Sequence, residues 1–120
     1  MEDVKIVGLD DTEGIREVLE VVIGQTYKGL VTTDDPVDVL ISRYDCAILD
    51  YDIGLKITGH DVACKLRRMY GDDIYLISNS SALPTEVDQS VYNNIVMKGQ
   101  GFGNLFMALG EFERWYSARQ

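Results

Sequence analysis

Four short apolar runs each end in a residue able to do chemistry. Lys5-Ile6-Val7-Gly8-Leu9 ends in Asp10 and Asp11, and Cys46-Ala47-Ile48-Leu49 ends in Asp50. Ile74-Tyr75-Leu76-Ile77 ends in Ser78, and Ile95-Val96-Met97 ends in Lys98. Three carboxylates brought to one place raise one another's pKa unless a cation offsets them. Such hard oxygen donors suit Mg2+, which keeps several waters and takes few protein ligands. Lys98 adds a fixed positive charge and Ser78 a hydroxyl. Together they would surround a phosphoryl group, whose transfer asks for positioning and charge neutralisation more than for covalent machinery. Taken singly the residues say less. Asp11 before Thr12 is also a plausible helix N-cap, and Lys98 alone would read as a solvated side chain. The weight lies in their shared place after successive strands.

The intervening segments must position them. Ile15, Val18, Leu19 and Val22 fall on one helix face, with Gly24 as a stop. A weak second strand covers about residues 29–32. Asp35-Pro36 reads as N-cap and first helical position, followed by an apolar stripe of Val37, Leu40 and Ile41. A loop with Gly54 and Gly59 leads to a helix bearing Val62, Ala63, Leu66 and Met69. Pro84 opens a short fourth helix through Val87 and Val91. After a glycine-rich turn, Phe102, Leu105, Phe106, Leu109, Phe112 and Tyr116 line one face of a last helix. Five strand–helix units predict an α/β fold: a doubly wound, five-stranded parallel sheet in the flavodoxin-type order 2-1-3-4-5, with helices on both faces. Sheets of this kind bind ligands beyond the carboxyl ends of their strands.

Composition narrows the classes. The chain has 120 residues, 46% hydrophobic and 26% charged, with a net charge of −9, which fits one domain over residues 1–120 with a real core. A surface that acidic repels phosphate backbones and anionic lipid, so nucleic acid and membrane are poor partners. Cys46 and Cys64 are too few for a disulfide scaffold, lie in apolar contexts and have no metal-ligand spacing between them. Glu2 and Asp3 stand where a secretory signal would carry Lys or Arg, and no apolar run reaches membrane-spanning length. The expectation is a reduced, cytoplasmic protein.

With those segments in place, the chain resembles a response-regulator receiver domain (CheY-like, of two-component signalling) over essentially its whole length. The resemblance rests on Asp10-Asp11 after the first strand, Asp50 after the third, Ser78 after the fourth and Lys98 after the fifth. It implies that Asp50 accepts a phosphoryl group from a histidine kinase or phosphotransfer protein. Asp10, Asp11, Asp50 and the backbone carbonyl of Asp52 would hold Mg2+. Lys98 would pair with one phosphoryl oxygen, and Ser78 would move to bond another. Phosphorylation adds about 1.5 to 2 negative charges, and the loop after Ser78 with the fourth helix and fifth strand would respond to them. Asp52 and Ser80, two beyond the acceptor and the hydroxyl residue, either flank the path of a hydrolytic water or are exposed loop residues.

The chain departs from the family pattern in several places. Gly99 stands where the family usually has Pro after the lysine, so a flexible turn would hold Lys98 less firmly. Ile95 stands where an aromatic switch residue is common, with Tyr92 as a substitute. The loop from Asp50 to Gly59 is one residue longer than usual, and Asn93-Asn94 replace a small-residue turn. His60, the single histidine, is expected solvated at the start of the third helix, as are Lys65, Arg67 and Arg68 on that helix. Met107 and Trp115 fall outside the last helix's apolar arc, as isolated exposed residues or as part of a partner or homodimer surface.

The resulting expectation is a stand-alone receiver switched at Asp50. It would catalyse only its own modification, lack a DNA-binding or enzymatic output, and dock to a downstream protein. One rival is a pseudo-receiver acting as a phosphorylation-independent interaction module. The other is a small Mg2+-dependent phosphatase with Asp50 as nucleophile and Asp52 as acid.

Overall fold

The computed structural model describes residues 3–120, so Glu2, part of the argument against a secretory signal, lies outside the described residues. The elements are β1 (Ile6–Leu9), α1 (Glu13–Val22), β2 (Leu30–Thr33), α2 (Pro36–Leu40), β3 (Cys46–Leu49), α3 (Gly59–Tyr70), β4 (Tyr75–Ser80), β5 (Asn94–Met97) and α4 (Gly103–Ala118). All strand pairs are parallel and the order is β2-β1-β3-β4-β5, as the alternation of runs predicts. No described helix is long and apolar enough to cross a membrane.

Side chains alternate across the sheet, and two cores result. Ile6, Cys46, Ile48, Tyr75, Ile77 and Val96 pack with Leu19 of α1, with Ile23 just after it, and with Leu105, Leu109 and Phe112 of α4. Val7, Leu9, Ala47, Leu49 and Leu76 pack with Val39 of α2 and with Val62, Ala63 and Leu66 of α3. β1 and β3 are therefore apolar and buried on both faces, and polar residues follow directly at their carboxyl ends.

Several expectations needed correction. In α2 the Asp35 carboxylate does cap the Val37 N–H at 2.9 Å. That five-residue helix buries Pro36 and Val39, however, and leaves Val37 and Ile41 exposed; one turn is too short for a periodic stripe to select a face. Met69 and Phe106 are exposed rather than on their helices' buried faces. Trp115 is half-buried and stacks with Tyr75 and Phe112. Met107 is exposed.

The largest difference is between β4 and β5, where no α-helix occurs among the described residues. The segment from Ser81 is an irregular strap that ends in one 3-10 turn, Gln89–Val91. The Asp88 carboxylate caps that turn through the Ser90 N–H at 3.0 Å. Arg67, expected solvated, holds the strap's far end. Its guanidinium donates to the carbonyls of Val91 (2.8 Å), Gly71 (2.8 Å) and Ile74 (2.7 Å) and to Asn93 Oδ1 (2.6 Å). Asn93 Oδ1 also accepts the Leu76 N–H at 2.8 Å. An arginine fork and an asparagine thus join the two strands where helical hydrogen bonds do not.

Candidate functional site

The parallel register lines up the strand ends. Leu9 pairs with Leu49 and Leu49 with Ser78, so Asp10 and Asp50 leave the sheet side by side. The Asp10 N–H bonds the Thr33 carbonyl and the Asp50 N–H the Leu9 carbonyl, both at 3.0 Å, which extends the ladder through these residues. Asp10 and Asp50 are buried and Asp11 is exposed. Ligand atoms of the three carboxylates lie within 4.8 Å of one another, a grouping that could hold a metal ion.

The Lys98 amine bridges the two buried acids, at 2.6 Å from Asp10 Oδ2 and 3.0 Å from Asp50 Oδ2. Despite Gly99 beside it, the lysine is held at the end of β5. Burial alone would lower its pKa, but the hydrogen bonds and charges of Asp10 and Asp50 outweigh that and raise it. Asp50 is pushed above the ordinary carboxylate value, chiefly by burial and further by Asp10 and Asp11, while the Lys98 hydrogen bond and charge oppose the shift. One ammonium does not balance two buried carboxylates and a third beside them, so the cluster favours a further cation.

The remaining contacts set the cluster's shape. Asp10 Oδ1 accepts the Thr12 N–H at 3.0 Å, and Arg16 donates to the Asp10 carbonyl at 2.7 Å. Thr12, rather than Asp11, is the N-cap residue of α1, which leaves the Asp11 carboxylate free of a capping role. Asp52 is exposed, and its side chain accepts the Gly54 N–H at 3.0 Å. Gly54 itself adopts φ +73°, a conformation suited to glycine. Gly59, the first residue of α3, donates to the Tyr51 carbonyl at 2.7 Å, and its Cα passes so close to Asp50 that an added Cβ would meet the Asp50 carbonyl oxygen at 1.7 Å.

Ser78 is not at the strand end. β4 continues through Asn79 and Ser80, which pair with Val96 and Met97, so Ser78 is interior to the sheet and fully buried. The terminal hydroxyl belongs to Ser80, which is buried and accepts the Tyr51 N–H at 2.8 Å. The apolar run stops at Ile77, whereas the backbone ladder does not, and sequence patterning reads only the former.

A cleft of about 630 Å³ opens above these groups, lined by Asp11, Asp50, Asp52, Thr58 and Lys98 on its floor and sides. Leu55 and Ile57 from the loop before α3, with Leu83 and Pro84 from the strap, form an apolar rim that the sequence reading did not single out. His60, expected solvated, is half-buried and bonds the Tyr92 hydroxyl through Nδ1 at 3.1 Å.

No protein-family model matches the chain, and no curated protein matches it by sequence. Solved structures do match. The response regulator TrrA from Thermotoga maritima, solved in complex with Mg2+–BeF, superposes with a TM-score of 0.79 at 24% identity over 93% of this chain and 99% of that one. TrrA in complex with the histidine kinase ThkA gives 0.77 at 24% identity, covering 93% and 98%. The Vibrio cholerae chemotaxis protein CheY4 gives 0.76 at 18% identity, covering 91% and 98%. The chain has the fold of response-regulator receiver domains.

Proposed function

We propose that the chain is a receiver that takes a phosphoryl group on Asp50, with Mg2+ as its cation. One observation carries this reading. Within a receiver fold, three carboxylates converge to within 4.8 Å at the carboxyl edge of the sheet, and one lysine bridges the two buried ones, Asp10 and Asp50. The donor set fits Mg2+, with Asp10, Asp11 and Asp50 as carboxylate ligands and the Asp52 carbonyl as a further oxygen. When bound, that ion offsets the negative charge gathering between carboxylate and phosphoryl oxygens.

The chain's own groups do the rest. An Asp50 carboxylate oxygen attacks phosphorus; the O–P bond forms as the donor's N–P or acyl O–P bond breaks, and the leaving group departs with the bonding pair. Lys98, released from Asp50, turns to a phosphoryl oxygen and keeps Asp10 as its second partner. Ser80 takes the hydroxyl role that the strand-end argument gave to Ser78, because its oxygen accepts from Tyr51 while its own proton remains free to donate. The donor would be a histidine kinase or phosphotransfer protein, a reading supported by the structural similarity to TrrA, which is solved in complex with the histidine kinase ThkA. The apolar rim of the cleft would receive it.

Intact mass after incubation with acetyl phosphate and Mg2+ tests this directly. The expected result is a gain of one phosphoryl group, lost in Asp50→Asn and in EDTA. A second reading, a pseudo-receiver that binds partners without phosphorylation, is favoured by the strap in place of a helix between β4 and β5. No gain of mass beside a positive-control receiver would select it.

A further inference from the structure

A second cluster stands apart from the acidic cleft, on α3. His60 and Cys64 are four residues apart, hence neighbours on one helix face. Their Nε2 and Sγ atoms lie 3.5 Å apart. Neither is sealed in the core: both are half-buried, whereas the other cysteine, Cys46, is wholly enclosed. The other ring nitrogen of His60 faces the Tyr92 hydroxyl at 3.1 Å.

We propose that His60 and Cys64 form a chelating site for a thiophilic divalent cation, Zn2+ being the best match. Zn–S bonds of about 2.3 Å and Zn–N bonds of about 2.0–2.1 Å at a tetrahedral angle place sulfur and nitrogen about 3.5–3.6 Å apart. The pair already has that bite. Binding releases the Cys64 thiol proton to solvent and fixes the His60 tautomer with its proton on Nδ1. That proton then donates to the Tyr92 oxygen, the outer hydrogen bond by which metal-ligating imidazoles are oriented. Water fills the remaining positions. Because Tyr92 follows the strap and precedes β5, an occupied site ties that connection to α3. Softness separates this site from the acidic cluster, whose oxygen donors prefer Mg2+.

The test titrates the reduced full-length chain with Zn2+ by calorimetry, in excess Mg2+ and a non-thiol reductant, with Co2+ as a spectroscopic probe. The expected result is one equivalent of Zn2+, release of about one proton, and a thiolate-to-Co2+ charge-transfer band. Cys64→Ser removes the band, and Cys64→Ser and His60→Gln each weaken binding at least tenfold. Tyr92→Phe weakens it roughly tenfold through ring orientation. Asp10→Asn leaves it unchanged. Circular dichroism confirms that each variant is folded, and Cys64→Ala substitutes should the serine variant be unfolded. Zn2+ binding that survives both ligand variants, binding that disappears in Asp10→Asn, or no binding by the unaltered chain overturns the proposal.

Discussion

The hydroxyl of Ser80 accepts the backbone N–H of Tyr51 at 2.8 Å, which joins the last side chain of β4 to the peptide directly after Asp50. A group at Asp50 and a hydroxyl at Ser80 are therefore coupled through one hydrogen bond. Ser80→Ala should slow Mg2+-dependent phosphoryl gain at least about tenfold, the scale of losing one donor to a charged transition state. Ser78→Ala should leave the rate nearly unchanged. Time courses of intact mass decide between the two serines, and equal rates in both variants would remove the hydroxyl role from Ser80.

Asp50 makes the metal-free protein pH-sensitive. Its folded pKa is raised, chiefly by burial, so the native state binds the proton more tightly than the unfolded chain. Stability without divalent cation then falls as pH rises from the ordinary carboxylate value through the raised one. Asp50→Asn should melt a few degrees higher at pH 7 in EDTA and show a flatter dependence on pH across that window. Mg2+ reverses the sign, because the ion binds only the ionised carboxylates and stabilises the fold more as pH rises. Thermal melts at several pH values, with and without Mg2+, check both signs.

Gly59 is required by space rather than by backbone conformation. A Cβ there would lie 1.7 Å from the Asp50 carbonyl oxygen, so α3 or the acceptor must shift. Gly59→Ala should cost about 3 kcal/mol and lower Tm by roughly 10–15 °C. It should also slow phosphorylation in whatever fraction remains folded. A variant with unchanged Tm would show that the close approach is relieved elsewhere.

Arg67 joins α3 to both sides of the strap through four oxygens at 2.6 to 2.8 Å. Arg67→Met keeps much of the aliphatic stem but strands those acceptors, at a cost of about 3 kcal/mol. Urea unfolding should show the loss in midpoint with the slope preserved. Lys65 and Arg68, exposed on the same helix, should tolerate methionine within about 0.5 kcal/mol.

The sheet was legible because each strand is a short apolar run bounded by polar residues, and the acids were legible because they follow those runs. Strand length was not, where hydrophobicity and hydrogen bonding part company. Ser78-Asn79-Ser80 looks like a strand's end, yet it continues the ladder to β5. Nor does periodicity define a single turn, and so Val39, rather than Val37 and Ile41, became the anchor of α2. Pro84 with following Val87 and Val91 imitates a helix, but Asp88 and Ser90 close a local turn instead. The Tyr92 partner of His60 and the Val91, Ile74 and Asn93 partners of Arg67 lie 7 to 32 residues away, which no local spacing encodes.

The strap also predicts an uneven rhythm of solvent exchange. Between Ser81 and Asp88 the one backbone hydrogen bond is Val87 N–H to the Pro84 carbonyl, while β4 beside it is paired on both edges. Amides of the strap should take up deuterium at nearly the intrinsic rate, and those of β4 only when the whole domain opens. The fastest and the slowest labels in the molecule should thus meet at Ser80, a boundary at which any chemistry on Asp50 can be watched as a change in protection.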